Sequence, residues 1–389
     1  MKLSTYLLAC LFVFVSCKAQ EDDQLTNPVP TDTSGNSLTY KEKAKAVYDL
    51  IQSKYKSGTL YKENYPAQGE DRTCYLWPLV GMLRAGNLLY ELGFDIAIHT
   101  KEFEGLEQYY VNRAALPGYQ AEPVTHGLRD IFYDDNCIVV MELANAYRIT
   151  HEEKYLTRAK EITEFIMSGE DSRMGGGMYW LESVSKDCNS GPNCIKAANT
   201  TAYGAFIGTE LYKLTNDSKY LEYARRLYHW NYNTLRDTDN LYWNDISIVT
   251  GQINPTKWTY NAAMMIFSGV ALYEITNESK YLDQAIATAR SSYSRFTRVI
   301  DDLLFFPTHD PWFNVELMHS YIALSKYDPT SKGYVETFIK NADYAWVNAR
   351  NSEGQFFEDW SGSQEGRHYW LLHQACLVEA YALAELYKN

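Results

Sequence analysis

Three stretches of this chain repeat one ten-residue phrase. Tyr147-Arg-Ile-Thr-His-Glu-Glu-Lys-Tyr-Leu156, Tyr212-Lys-Leu-Thr-Asn-Asp-Ser-Lys-Tyr-Leu221 and Tyr273-Glu-Ile-Thr-Asn-Glu-Ser-Lys-Tyr-Leu282 align without gaps, 65 and 61 residues apart. Each lies between two stretches of helical apolar periodicity, and the Thr-Asn-Asp/Glu-Ser element carries turn and N-cap chemistry. The repeating unit is therefore helix, tight turn, helix, and so short a connection favours antiparallel neighbours. One such unit cannot bury its apolar face alone, so the repeat dictates the architecture.

Extended outward, the period gives six pairs. First members cover about 40–56, 99–112, 152–167, 217–233, 278–296 and 332–350, and second members begin near Cys74, Asp134, Asn199, Tyr260, Trp312 and His368. The second set is nearly featureless in its apolarity, as in Ala262-Ala263-Met264-Met265-Ile266-Phe267, which is the pattern of a helix buried all round. The first set is amphipathic. An open solenoid would need polar caps at both ends, whereas the apolar terminal segment Leu371 to Leu386 reads as a closing partner for the first pair. The expected fold is all-α, an (α/α)6 barrel with an inner and an outer ring of six helices.

The N-terminus reads as an address. The apolar run Tyr6 to Val15 is too short to cross a hydrocarbon layer of about 30 Å but suits a signal peptide. It ends at Ser16-Cys17, which resembles a bacterial lipobox, so residues 1–16 are expected to be removed and Cys17 acylated. Residues 17–38 form a tether rich in Pro, Thr and Ser, and 39–389 form one catalytic domain. The expected location is the bacterial outer membrane, on the cell surface through the lipid anchor, with an alternative facing the periplasm.

Of the seven cysteines, Cys188 and Cys194 flank a turn-forming Asn-Ser-Gly-Pro-Asn and are candidates for a disulfide. Cys74, Cys137 and Cys376 lie in apolar helical patterns and read as small core residues. The histidines show no metal-ligand spacing, so no metal or cofactor is expected. A net charge of −13 spread along the chain excludes a nucleic-acid partner, which would need a basic stripe. The protein is expected to be a monomer.

The chain holds 33 Tyr and 9 Trp, and the loops leading into the second members concentrate them beside carboxylates. Aligning the repeats places Asp134, Asn199 and Tyr260 at equivalent positions, with Asp135, Thr200 and Asn261 next. A funnel lined by aromatic platforms and acids is suited to a polysaccharide. Its sharpest feature is Tyr133-Asp134-Asp135-Asn136. One aspartate would suffice to cap a helix. Two in a partly dry cleft repel by roughly 3 kcal/mol at about 5 Å and an effective dielectric near 20, or about 2 pKa units. Such repulsion holds one acid protonated while its neighbour stays ionised, the requirement for glycoside hydrolysis.

From about Tyr61 to Leu386 the chain resembles glycoside hydrolase family 76, the bacterial endo-α-1,6-mannanases. The matching residues are Tyr133-Asp-Asp-Asn136, Gly175-Gly-Gly-Met-Tyr-Trp180, Asp239-Asn-Leu-Tyr-Trp243, Thr256-Lys-Trp-Thr-Tyr-Asn261 and Gly354-Gln-Phe-Phe-Glu-Asp-Trp360. The resemblance implies a retaining enzyme acting on α-mannan, with Asp134 as nucleophile and Asp135 as acid/base. Tyr133, Asn136, Trp180, Asn199, Trp243, Trp258, Tyr260 and Asn261 are the candidate sugar-binding residues, with loop packing and helix capping as their alternative roles. The chain departs from the family pattern at Cys137-Ile138 and at Ala262-Ala263. A glycan-binding lipoprotein that does not cut, or a transglycosylase on the same barrel, are the alternative functions.

Overall fold

The computed structural model describes residues 38–67, 72–112, 116–185, 188–363 and 369–389. The expected signal peptide, Cys17 and all but the last residue of the tether lie outside the described residues, as does His368. Among the described residues, twelve helices of nine or more residues alternate between two rings. The outer ring is α1 (Tyr40–Lys54), α3 (Ile96–Glu104), α5 (Glu153–Met167), α7 (Ser218–Thr234), α9 (Ser279–Phe296) and α11 (Thr330–Asn348). The inner ring is α2 (Leu76–Glu91), α4 (Tyr133–Thr150), α6 (Ala198–Thr215), α8 (Thr259–Thr276), α10 (Pro311–Leu324) and α12 (Leu371–Lys388).

Each inner helix packs on the next, α2 on α4 and so on through α10 on α12, and α12 packs on α2. The inner ring is closed. Helix α12 also packs against α1, so the last inner helix takes the first outer helix as its partner. The inner helices are buried along most of their length because they meet a neighbour on each side and an outer helix behind. In α8 the run Asn261 to Ile266 is buried throughout.

The repeated phrase forms the turn between inner and outer helices. His151, Asn216 and Asn277 adopt left-handed backbone (φ 59°, 56° and 56°), and their N–H groups bond the carbonyls of Tyr147, Tyr212 and Tyr273. His and Asn are among the side chains that tolerate this conformation. The preceding threonine works both ways: Thr215 Oγ1 donates to the Leu211 carbonyl and accepts from the Asp217 N–H. The expected N-cap role holds for Asp217, which accepts from the Lys219 N–H, whereas Glu152 and Glu278 make no side-chain cap. Gly208 and Gly269 let α6 and α8 lie close on their outer partners, since a Cβ there would meet the Tyr220 or Tyr281 carbonyl at 2.8 or 3.0 Å.

One boundary differs clearly from expectation. The outer helix expected over 99–112 is observed at Ile96–Glu104, and Gly105 after it packs so closely that a Cβ would lie 2.8 Å from the Thr59 carbonyl. The chain then leaves the helix through a 3-10 turn, and Tyr110–Val111 pairs with Gly118–Tyr119. Among the described residues no helix is long and apolar enough to cross a membrane. Cys188 and Cys194 are joined by a disulfide with Cα atoms 5.5 Å apart, and Cys74, Cys137 and Cys376 are buried and free.

Candidate active site

The N-terminal ends of the inner helices surround a cavity of about 290 Å³. The second residue of five of them lines it: Trp77 of α2, Asp134 of α4, Asn199 of α6, Tyr260 of α8 and Trp312 of α10. Helices side by side in a closed ring present equivalent positions to the axis, so a single register rule delivers five side chains of different chemistry to one space. One turn deeper, Ile138 and Tyr203 form part of the floor.

The start of α4 is held by a loop rather than by a capping side chain. Phe132 is the N-cap residue and makes no side-chain cap; the Tyr133 N–H donates to the Trp180 carbonyl instead. The Glu182 N–H donates to the Ile131 carbonyl, so residues 180–182 lie against the residues that lead into α4. Upstream, Gly176 and Gly177 have φ of 132° and 76°, and a Cβ on Gly177 would lie 2.5 Å from the Trp230 ring. The glycine run is therefore required by both backbone conformation and close packing. The buried Lys196 Nζ donates to the Gly177 carbonyl at 2.7 Å and to Asp171 Oδ1 at 2.7 Å, which fixes this loop to the strand before α6. Asp171 is drawn down to about 2 even though burial opposes it, because Lys196, Tyr179 and Arg173 all donate to its carboxylate.

This framework treats the two aspartates differently. Asp134 Oδ2 accepts from Trp180 Nε1 at 2.9 Å and from Asn199 Nδ2 at 2.7 Å, and its Oδ1 accepts from the Asp135 N–H at 3.1 Å. Burial pushes Asp134 up to about 6, and those donors hold it from going higher. The Asp135 carboxyl receives no hydrogen bond from the described residues, and burial followed by the negative charge of Asp134 pushes it well above the usual carboxylate range. Donors stabilise an ionised carboxylate, whereas desolvation and a like charge stabilise the acid. At neutral pH the geometry therefore supports an ionised Asp134 beside a protonated Asp135.

Of the other expected site residues, Trp180, Asn199, Trp258 and Tyr260 line the cavity. Tyr260 stacks on Phe313 with ring centroids 4.1 Å apart, and Trp258 meets the same ring edge-on. Four expectations are corrected. Tyr133 is fully buried and stacks on Phe165, with Gly169 against its ring. Asn136 is buried, accepting from the Tyr119 N–H and donating to the Tyr119 and Phe132 carbonyls, so its amide is fully used as a backbone clamp. Asn261 is buried outside the cavity lining, and Trp243 is half-buried and does not reach the cavity. Helical rotation of about 100° per residue explains the first two: Tyr133 precedes and Asn136 follows the cavity-facing pair Asp134-Asp135, and both turn to buried faces of α4.

Reading the sequence alone missed Trp77, Tyr203 and Asn244. The signal for Trp77 was present, since it follows the first residue of an inner helix as Asp134 does, but the repeated phrase does not reach that far upstream. Among the described residues no group of three or more His, Cys, Asp or Glu is arranged to hold a metal ion.

The fold has clear relatives. An α-mannanase of glycoside hydrolase family 76 from Bacteroides thetaiotaomicron is 28% identical, with a TM-score of 0.80 over 90% of this chain and 96% of its own. A family 76 mannosidase from the same organism is 24% identical, with a TM-score of 0.80 over 90% and 98%. An inactive variant of an α-1,6-mannanase from Salegentibacter, with two neighbouring aspartates replaced by asparagine and α-1,6-mannotriose bound, is 22% identical with a TM-score of 0.73 over 88% and 99%. No curated protein matches the chain. The family model for glycosyl hydrolase family 76 matches residues 39–388, nearly the whole of the two rings and every residue of the cavity; the chain belongs to that family and is a glycosidase.

Proposed function

We infer that the protein is a retaining, endo-acting glycosidase that cleaves α-1,6-mannosidic bonds in mannan. The observation that carries this reading is the unequal treatment of the aspartate pair. Among the described residues Asp134 has three donors and the Asp135 carboxyl has none. In the first step the Asp134 carboxylate attacks the anomeric carbon while Asp135 gives its proton to the departing glycosidic oxygen. The C1–O bond breaks and a mannosyl ester forms on Asp134. With Asp134 neutralised as an ester, Asp135 is left as the carboxylate and takes a proton from water, which attacks the anomeric carbon and frees Asp134.

Aromatic walls support a pyranose substrate, because Trp and Tyr faces stack on the C–H faces of sugar rings. The mannan substrate and the α-1,6 linkage are supported by the activities and ligand of the relatives named above. In the Salegentibacter relative, replacing two neighbouring aspartates gives an inactive protein that holds the trisaccharide. We further propose that Cys17 carries a lipid anchor that holds the enzyme on the outer membrane. Labelling with a radioactive fatty acid, lost in Cys17→Ala, tests the anchor.

Incubation of the mature protein with debranched α-1,6-mannan tests the activity. Release of a range of oligosaccharides is the expected result. Retained binding without cleavage would favour a glycan-binding lipoprotein, and products longer than the starting oligosaccharide would favour a transglycosylase.

A further inference from the structure

Asp134 Oδ2 receives its two side-chain donors from separate segments of the chain. Trp180 Nε1 comes from the loop that begins at the glycine run, and Asn199 Nδ2 comes from the first turn of α6. Strand β1 (Ile195–Ala197) leads directly into that turn. For both donors to meet one oxygen at hydrogen-bond distance, the loop and the strand must lie at a fixed separation.

Lys196, in the middle of β1, spans that separation. It is wholly buried, and its ammonium donates to the Gly177 carbonyl at 2.7 Å, to Asp171 Oδ1 at 2.7 Å and to the Asp171 carbonyl at 3.3 Å. An ammonium has three N–H groups and accepts nothing, so three acceptors use it fully. The centroid of the Tyr179 ring lies 4.3 Å from Nζ, and the Tyr179 hydroxyl donates to Asp171 Oδ2 at 2.7 Å. Tyr179 is the residue before Trp180. Glu170 and Arg173 also interact with the ammonium, Glu170 being paired with Arg226 and Arg173 with Asp171. The backbone adds two ties: the Ala197 N–H donates to the Met178 carbonyl at 3.0 Å, and the Met178 N–H donates to Thr201 Oγ1 at 3.0 Å. Neither involves the Lys196 side chain, so a variant there keeps the loop on the strand and loses only the clamp.

We propose that Lys196 is a positioning residue for the reaction, its ammonium clamping the Asp171–Trp180 loop onto the strand that leads to Asn199 so that both donors converge on Oδ2 of Asp134. This rests on the reading of Asp134 as the nucleophile and names the group that keeps its donors in place. Lys196 is not among the residues that line the cavity, so it acts through Trp180 and Asn199. Asp135, Cys137, Tyr203 and Tyr260 also feel the charge of Asp134, and the ammonium bonds none of them. Without the clamp the donors drift, and the ionised form of Asp134 loses part of its stabilisation.

The test is the pH profile of kcat/KM on debranched α-1,6-mannan for the full protein, Lys196→Met, Asp171→Asn and Trp180→Phe. Lys196→Met should move the acid limb upward by about 0.5–1 pH unit, a fall of roughly 3- to 10-fold on that limb, with kcat reduced more than KM is changed. Asp171→Asn should move it the same way by less. A direct effect of charge would move these two limbs in opposite directions, because one variant removes a cation and the other an anion; that result overturns the proposal. Combined with Trp180→Phe, Lys196→Met should shift the limb by less than the sum of the two single shifts, and full additivity overturns the proposal. So does an acid limb that stays in place in Lys196→Met. Should Lys196→Met not fold, Asp171→Asn decides alone, an upward shift supporting the clamp and an unmoved or lowered limb overturning it. Failure of the parent protein to cleave mannan would overturn the glycosidase reading, and this inference with it.

Discussion

Two acid clusters sit in the same ring of helices, about 12 Å apart along α4, and they are built on opposite principles. The deeper one surrounds Arg84, which is 2% exposed: its Nε meets Glu142 at 2.6 Å, and its Nη1 meets Glu316 at 2.6 Å and Glu379 at 3.0 Å. Three carboxyls face one guanidinium, and burial, only partly offset by Arg84, lifts Glu379 to about 8. The ring thus sheds surplus charge by keeping a proton. The upper cluster, Asp134 and Asp135, has no cation among the described residues; donors offset the burial of Asp134, whereas burial and the charge of Asp134 raise Asp135. Both clusters contain an acid with a raised pKa. None of the four lower residues lines the catalytic cavity, and Arg84 lies beneath Trp312, 5.4 Å from its ring centroid. A raised pKa alone therefore does not mark a catalytic acid.

The contrast can be broken most severely from above. Asp134→Asn and Asp135→Asn should each reduce turnover by roughly three orders of magnitude or more, about 4 kcal/mol of transition-state stabilisation. Thermal melting of the same variants should show folding intact, because neither carboxyl caps α4 from the N-cap position. Arg84→Met should do the reverse. Removing one partner of a buried ion cluster costs about 3–5 kcal/mol of stability, read as a lowered denaturant midpoint, while the active fraction that remains folded keeps its selectivity.

Asn199→Ala sharpens the comparison further. Loss of a donor to the ionised form moves Asp134 above 6, so the acid limb of the pH–rate profile should shift upward, with a fall of about 10-fold in kcat/KM near neutral pH. In the parent protein, activity should rise as pH passes about 6 and Asp134 ionises, and fall again when Asp135 loses its proton.

A further effect is on stability. Both aspartates have folded pKa values above the unfolded one, so their contribution is fully present below about pH 4 and is lost as pH rises through the folded values. Relative to the parent protein, the double variant Asp134→Asn/Asp135→Asn should gain stability at pH 8 compared with pH 4, as measured by chemical denaturation at the two pH values.

The closed ring was legible because its sequence repeats. The phrase at Tyr147, Tyr212 and Tyr273 marks three inner-to-outer turns, and the apolar runs carry the period to the rest. Five of the six inner helices begin within two residues of the expected positions. The outer helix near Glu104 was misjudged because Leu106 to Val111 has helical periodicity, whereas the chain tightens into a 3-10 turn over Leu106–Tyr109 and Tyr110–Val111 then pairs as a strand. At the site, Asp134, Asp135 and Asn199 were legible as unusual residues at equivalent positions. Tyr133 and Asn136 were placed with them by sequence adjacency, which a helix does not translate into a shared face. Asp245 and Asp359 are 8% and 4% exposed, and each is the centre of a local hydrogen-bonded cluster that the sequence does not reveal.

The most direct test of the central claim is to trap the glycosyl-enzyme with a 2-deoxy-2-fluoro mannosyl donor and locate the adduct by peptide fragmentation. If donors hold Asp134 ionised and the lack of them keeps Asp135 protonated, the sugar should be found esterified to Asp134. An adduct on Asp135 or on any other acid would contradict that account.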